Sequence, residues 1–162
     1  MRNKVVRALI AFVVAAIIGY VVATLFSTAA NLIRLSAVGA QISFGDAVRT
    51  FFFDLRGMAP ALDWTKYGSL IIIAFAIAFP VAALLKWLTL RAEGGIRRIA
   101  PILYPLAGAT AIGMIHLLSY PKYEVFAFAG ARFLGGSIAQ CLAGAIGGYL
   151  FHLVLKKTEA WA

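Results

Sequence analysis

Acidic side chains are scarce. Of 162 residues only six are Asp or Glu. All six, Asp46, Asp54, Asp63, Glu93, Glu124 and Glu159, fall in loops or at the ends of apolar runs. Proton-coupled pumps and transporters commonly relay protons through an intramembrane carboxylate, and no apolar run here has one near its centre. Cysteine is nearly absent too. The single Cys141 allows no intramolecular disulfide and excludes a thiol–disulfide enzyme; inside an apolar run it reads as a small apolar residue. Only two histidines occur. His116 and His152 lie late in two successive runs expected to be antiparallel, on the order of 20 Å apart, too far to share a metal or haem iron. No serine, threonine or cysteine has a histidine or an intramembrane acid at a suggestive spacing, so no catalytic constellation stands out. The apolar runs are continuous and lack period-two alternation, which disfavours a β-barrel.

What the chain has in abundance is apolar sequence. At 63% apolar residues it lies outside the soluble globular range, and its charges cluster between the long apolar runs. This is the pattern of an all-α integral membrane protein. The formal charge of +9 would suggest nucleic acid in a soluble protein. Here the basic residues flank apolar spans, so topology and anionic lipid explain them and no nucleic-acid partner is expected.

Four transmembrane helices are expected, over about 8–28, 67–88, 100–119 and 130–155, in a single domain covering 1–162. Arg2, Lys4 and Arg7 before the first run resemble the start of a signal peptide, with Ser27-Thr28-Ala29 as a cleavage site. The run from Ala8 to Phe26 exceeds the usual signal core of about 7–15 residues, so it reads as the first span. Between spans one and two, residues 44–58 show helical periodicity. Phe44, Val48, Phe51, Phe52, Leu55 and Met58 share one face, with Asp46, Arg49 and Arg56 opposite. Such a helix either lies in the membrane interface or packs over the mouth of the bundle. Asp63 is a candidate N-cap for the second span, Trp64 and Tyr67 candidate aromatic anchors, and Pro80 a candidate kink. The linker from Tyr120 to Glu124 is short enough to make spans three and four a hairpin. Cytoplasmic termini put nine basic residues inside (Arg2, Lys4, Arg7, Lys86, Arg91, Arg97, Arg98, Lys156, Lys157) and six outside. That bias favours a multi-pass protein of the plasma membrane, a bacterial inner membrane, with both termini cytoplasmic. No soluble domain, low-complexity tail or internal repeat is evident.

The last span holds the most distinctive pattern. At 100° per residue, Gly136, Gln140, Ala143, Gly144, Gly147 and Gly148 share an arc of about 140°. Interior glycines each cost a helix about 1 kcal/mol relative to alanine. In lipid they let a second helix approach closely, and Gly144 with Gly148 forms a G-x-x-x-G pair. Within the chain the third span offers Gly108, Thr110 or Gly113 as the partner. Gln140 is the strongly polar member of the arc, suited to an interhelical hydrogen bond that fixes register. Arg34, one turn after Asn31, and Arg132 either snorkel to the outer interface or converge on a lipid headgroup or other anion.

These features suit an accessory or structural subunit that packs against other membrane protein subunits or itself, surrounded by membrane lipids. It would not be an enzyme, and no cofactor or metal is implied. Two alternatives remain. One is an oligomeric small channel or transporter using Gln140, Thr110, His116 and Pro80. The other is a lipid- or pigment-binding protein using Arg34, Arg132 and the cluster Phe51-Phe52-Phe53. The small, basic, four-span format resembles the membrane-associated eicosanoid and glutathione metabolism family. That family's motif of arginine, asparagine and glutamate near the first loop is absent: Asn31 and Arg34 occur without the rest. A small multidrug exporter is disfavoured because that family carries a membrane-embedded glutamate in its first span.

Overall fold

The computed structural model describes residues 2–61, 65–91, 101–123 and 132–160. They form five helices: α1 (Arg2–Ala37), α2 (Phe44–Gly57), α3 (Tyr67–Arg91), α4 (Leu103–Tyr123) and α5 (Leu134–Ala160). Three contain stretches long and apolar enough to cross a membrane, Lys4–Ala37, Tyr67–Thr89 and Leu134–Lys157. The chain is thus a helical membrane protein. The apolar part of α4, Leu103–Leu118, rises about 24 Å at 1.5 Å per residue, short of a hydrocarbon core of about 30 Å.

The other three long helices surround α5, with α1 and α4 antiparallel to it and α3 parallel. Gly108 and Tyr104 of α4 lie against Gly144 and Gly148 of α5, and Ala15 of α1 lies against Gly147. On the remaining side, Phe79 of α3 meets Phe12 of α1 and Tyr104 of α4. Consequently the start of α1 and the end of α5 share one end of the bundle. Helix α2 crosses α1 nearer the other end, where Thr28 donates to Asp54 Oδ2 at 2.7 Å and the Tyr20 hydroxyl donates to the Leu55 carbonyl. Tyr104, in the first turn of α4, already packs on Phe79 and Phe151. Helix α4 therefore begins level with the middle of α3, which explains its short apolar length.

Several element ends differ from expectation for local reasons. Helix α1 does not stop near 28 but runs to Ala37. Gly39 terminates it at φ 93°, with Gly39 N–H donating to Ser36 O and Ala40 N–H to Leu35 O, both 3.0 Å. That is the Schellman arrangement, in which glycine adopts the left-handed conformation without a Cβ penalty. Residues 120–123, expected in a linker, are the last turn of α4. The expected Asp63 cap lies outside the described residues. Pro80 sits inside a continuous α3 and is exposed.

Helix α2 starts with a reciprocal cap. Asp46 N–H donates to Ser43 Oγ, and Ser43 N–H donates to Asp46 Oδ2, both at 3.1 Å, so two otherwise orphaned amides are satisfied. Leu55 and Met58 pack onto the core, whereas Phe44, Phe52 and Phe53 are exposed. α2 therefore leans on α1 by one edge, and Phe44 and Phe52 line an open groove against Leu25, Ala29 and Leu32 of α1.

Candidate functional site: a polar clasp within the bundle

The arc on α5 is shared between two neighbours in the same chain. Gly144 and Gly148 face α4. A Cβ on Gly144 would overlap the Gly108 carbonyl, and one on Gly148 would overlap the Tyr104 carbonyl. Gly147 turns the other way: its Cβ would lie 2.9 Å from the Phe75 ring of α3 and 3.2 Å from the Ala15 carbonyl of α1. Gly136 and Ala143 are buried as well. The close helix approach that glycine permits in membranes is thus spent inside the monomer. Of the three partners expected on α4, Gly108 makes this contact and Gly113 lies beside Cys141. Thr110 faces outward and donates to its own helix at Leu106 and Ala107.

Gln140, only 1% exposed, joins the helices through hydrogen bonds. Its Nε2 donates to the Ala23 carbonyl of α1 at 3.0 Å, and its Oε1 accepts from the Tyr67 hydroxyl of α3 at 2.6 Å. Tyr67 in turn meets His116 Nε2 of α4 at 3.2 Å. Each of the four long helices contributes one member. The donor inventory fixes the direction. A carbonyl only accepts, so the amide nitrogen of Gln140 must face Ala23 and its oxygen must face Tyr67. Tyr67 has one proton, given to Gln140, so Nε2 of His116 must carry the proton donated to Tyr67. The chain runs His116 → Tyr67 → Gln140 → Ala23 O.

Around this clasp lie the other buried polar side chains, Thr24, Ser27, Thr28 and Ser69, all toward the α2 end. The opposite half of the core is aromatic. Phe79 stacks on Phe75 at 4.7 Å and on Phe151 at 4.5 Å, with Phe12 and Tyr104 edge-on at 6.3 and 6.4 Å. Among the described residues no polar path continues through this layer. The residues expected to line a channel do not converge: Gln140 and His116 meet in the core, while Thr110 and Pro80 sit on the outer surface. His152 stacks on Tyr104 at 6.1 Å, about 18 Å further along α5 than Gln140 at the helical rise. Among the described residues no group of three metal-ligating side chains occurs.

Arg34 and Arg132 are exposed at the α2 end. The Arg34 guanidinium lies 5.9 Å from the Phe133 ring centroid, so the end of α1 and the start of α5 bring the two arginines to neighbouring turns. Sequence reasoning placed Tyr67 at the membrane interface; it is fully buried. Its hydroxyl points into the bundle toward Gln140 and His116, while residues 58–61 fold against the first turn of α3, with Gly68 N–H donating to Met58 O at 2.9 Å and Ala61 N–H to Ser69 Oγ at 3.1 Å. The Ser43/Asp46 cap and the Thr28–Asp54 bond also went unread. The first had a signal in its S-x-x-D spacing, close to the capping-box pattern; the second had none. No known protein family, characterised protein or solved structure matches this chain.

Proposed function

We propose that this chain is a non-catalytic accessory or structural subunit of a bacterial inner membrane, with four spans and cytoplasmic termini, that docks another transmembrane helix between α3 and α4. The observation that carries this reading is a lateral groove of about 580 Å³ between those helices. Ala74, Ala78 and Ala111 line it with Ile73, Ile77 and Met114, and the hydroxyl of Thr110, also in the wall, is satisfied by its own helix. Small residues between larger apolar ones are what membrane helices use to approach closely. The glycine arc serves intramolecular packing, which leaves this groove as the candidate surface for a partner. In this orientation α2 rests in the outer interface with Phe44, Phe52 and Phe53 toward lipid, and Arg34 and Arg132 take outer headgroups.

A photo-crosslinking residue at Ile77 or Met114, introduced in the native membrane, tests this directly. The expected product is a discrete adduct with one other membrane protein, lost in Ala78→Trp. Adducts with lipid alone, unchanged by Ala78→Trp, defeat the reading.

A further inference from the structure

A second apolar groove, of about 420 Å³, lies between α1 and α3. Ala8, Leu9 and Phe12 wall it from α1, and Ala76, Pro80 and Ala83 from α3. Its floor is formed by Phe79 and Phe151 of the aromatic layer. It runs toward the end of the bundle where α1 starts and α5 finishes, and its outermost lining residues are Val5 and Ala83.

Two cations stand beside that open end. Lys4 adjoins Val5, and Lys86 lies one turn beyond Ala83. The Lys86 ammonium is 5.8 Å from the Tyr104 ring centroid, and Tyr104 packs on both Phe79 and Phe151. That places the charge beside the groove floor. The acids whose side chains are described, Asp46 and Asp54, both belong to α2, nearer the opposite end. Exposed Trp87, one residue beyond Lys86, marks the level at which an aromatic side chain sits among headgroups.

We infer that the α1–α3 groove binds one acyl chain of an anionic phospholipid whose phosphodiester is held by Lys4 and Lys86. The lining is fully apolar and opens sideways to the hydrocarbon, so it suits a chain and offers nothing to a polar solute. A phosphodiester is the anion that a membrane presents to cations at headgroup level. This site requires only that the bundle lie in a membrane, so its failure leaves the proposed subunit role standing, and the reverse.

The full chain is reconstituted separately with phosphatidylglycerol or phosphatidylcholine, extracted in mild detergent and weighed by native mass spectrometry. The expected result is one retained phosphatidylglycerol per chain and about tenfold less phosphatidylcholine, a ratio equivalent to about one decade of affinity. Replacing Lys4 and Lys86 by Gln should bring phosphatidylglycerol retention down to the phosphatidylcholine level. Ala8→Leu with Ala83→Leu fills the groove, leaves every charge, and should also abolish retention. Equal retention of the two lipids overturns the inference, as does unchanged retention in the charge variant. Loss in the charge variant with full retention in the groove variant also overturns it, because the headgroup alone would then be bound. If a multiple variant does not purify folded, Lys86→Gln and Ala83→Leu singly give the same comparison.

Discussion

Helices α5 and α2 are held to the same bundle by opposite means. Along α5 the arc from Gly136 to Gly148 is buried, and its contacts with α4 and α1 are made by backbone against backbone. Helix α2 has no buried residue. It is held by the edge contacts of Leu55 and Met58, by Thr28–Asp54 and Tyr20–Leu55 O, and by its own cap. The contrast separates two sources of order in one small membrane protein. Shape fit admits no extra atom and is indifferent to pH, whereas a surface helix secured by a few hydrogen bonds tolerates bulk and depends on protonation.

The largest effect should follow from adding atoms to α5. Gly148→Leu drives a side chain into the Tyr104 carbonyl, and the helices cannot separate without losing Gly108–Gly144 as well. Overpacking of this kind costs about 1–3 kcal/mol and occasionally more, and backbone atoms cannot yield as side chains do, so a loss of about 3 kcal/mol or greater is expected. Tyr149→Leu, one residue along on the exposed face, should stay within about 0.5 kcal/mol. Unfolding titrations in mixed micelles compare the two. Similar midpoints would mean that the tight α4–α5 contact does not hold the bundle.

An intermediate effect is expected at the clasp. Gln140→Leu keeps the volume and removes the bonds to Tyr67 and Ala23. Interhelical hydrogen bonds in membranes contribute about 0.6 kcal/mol on average and up to about 1.7–2, so about 1–2 kcal/mol should be lost. Tyr67→Phe should cost less alone and be non-additive with it by about 0.5–1.5 kcal/mol. A double-mutant cycle that comes out additive would show that the four-helix chain does not act as a unit.

The same contrast explains what could be read in the sequence. The arc on α5 was legible because helical geometry alone puts its members on one side. Its partner was only half legible: Gly108, Thr110 and Gly113 are equivalent in sequence, and the register that selects Gly108 is a tertiary outcome. Tyr67 was misread because an aromatic residue at the start of an apolar run looks the same whether its ring lies among headgroups or turns into the bundle, where its hydroxyl meets Gln140. The periodicity of α2 was plain, yet which edge meets α1 depends on Asp54, whose only signal was a charge beside an apolar face. The two lateral grooves were invisible, since they arise from the way α3 stands off its neighbours and from no local pattern.

The smallest effect belongs to the cap of α2. Hydrogen bonds from the Ser43 hydroxyl, and then from the Ser43 amide, hold the Asp46 carboxyl below its usual pKa, with Arg49 adding a minor attraction. A carboxylate whose folded pKa is depressed binds its proton more tightly when the helix end is undone. The cap's contribution is therefore complete above the unfolded value, about pH 4, and is lost as pH falls through the lower folded value. Asp46→Asn removes the charge at every pH, while Ser43→Ala removes the reciprocal acceptor. Hydrogen exchange of the amides from Phe44 to Val48, with intrinsic rates corrected for pH, should show protection falling below pH 4 in the parent chain. In Asp46→Asn it should be lower and flat over the same range. The α5 amides around Gly144 should show no corresponding step, because no titrating side chain supports that contact. Parallel loss of protection in both helices would mean that α2 and the bundle open together, and would remove the distinction between an element held by shape and one held by its own hydrogen bonds.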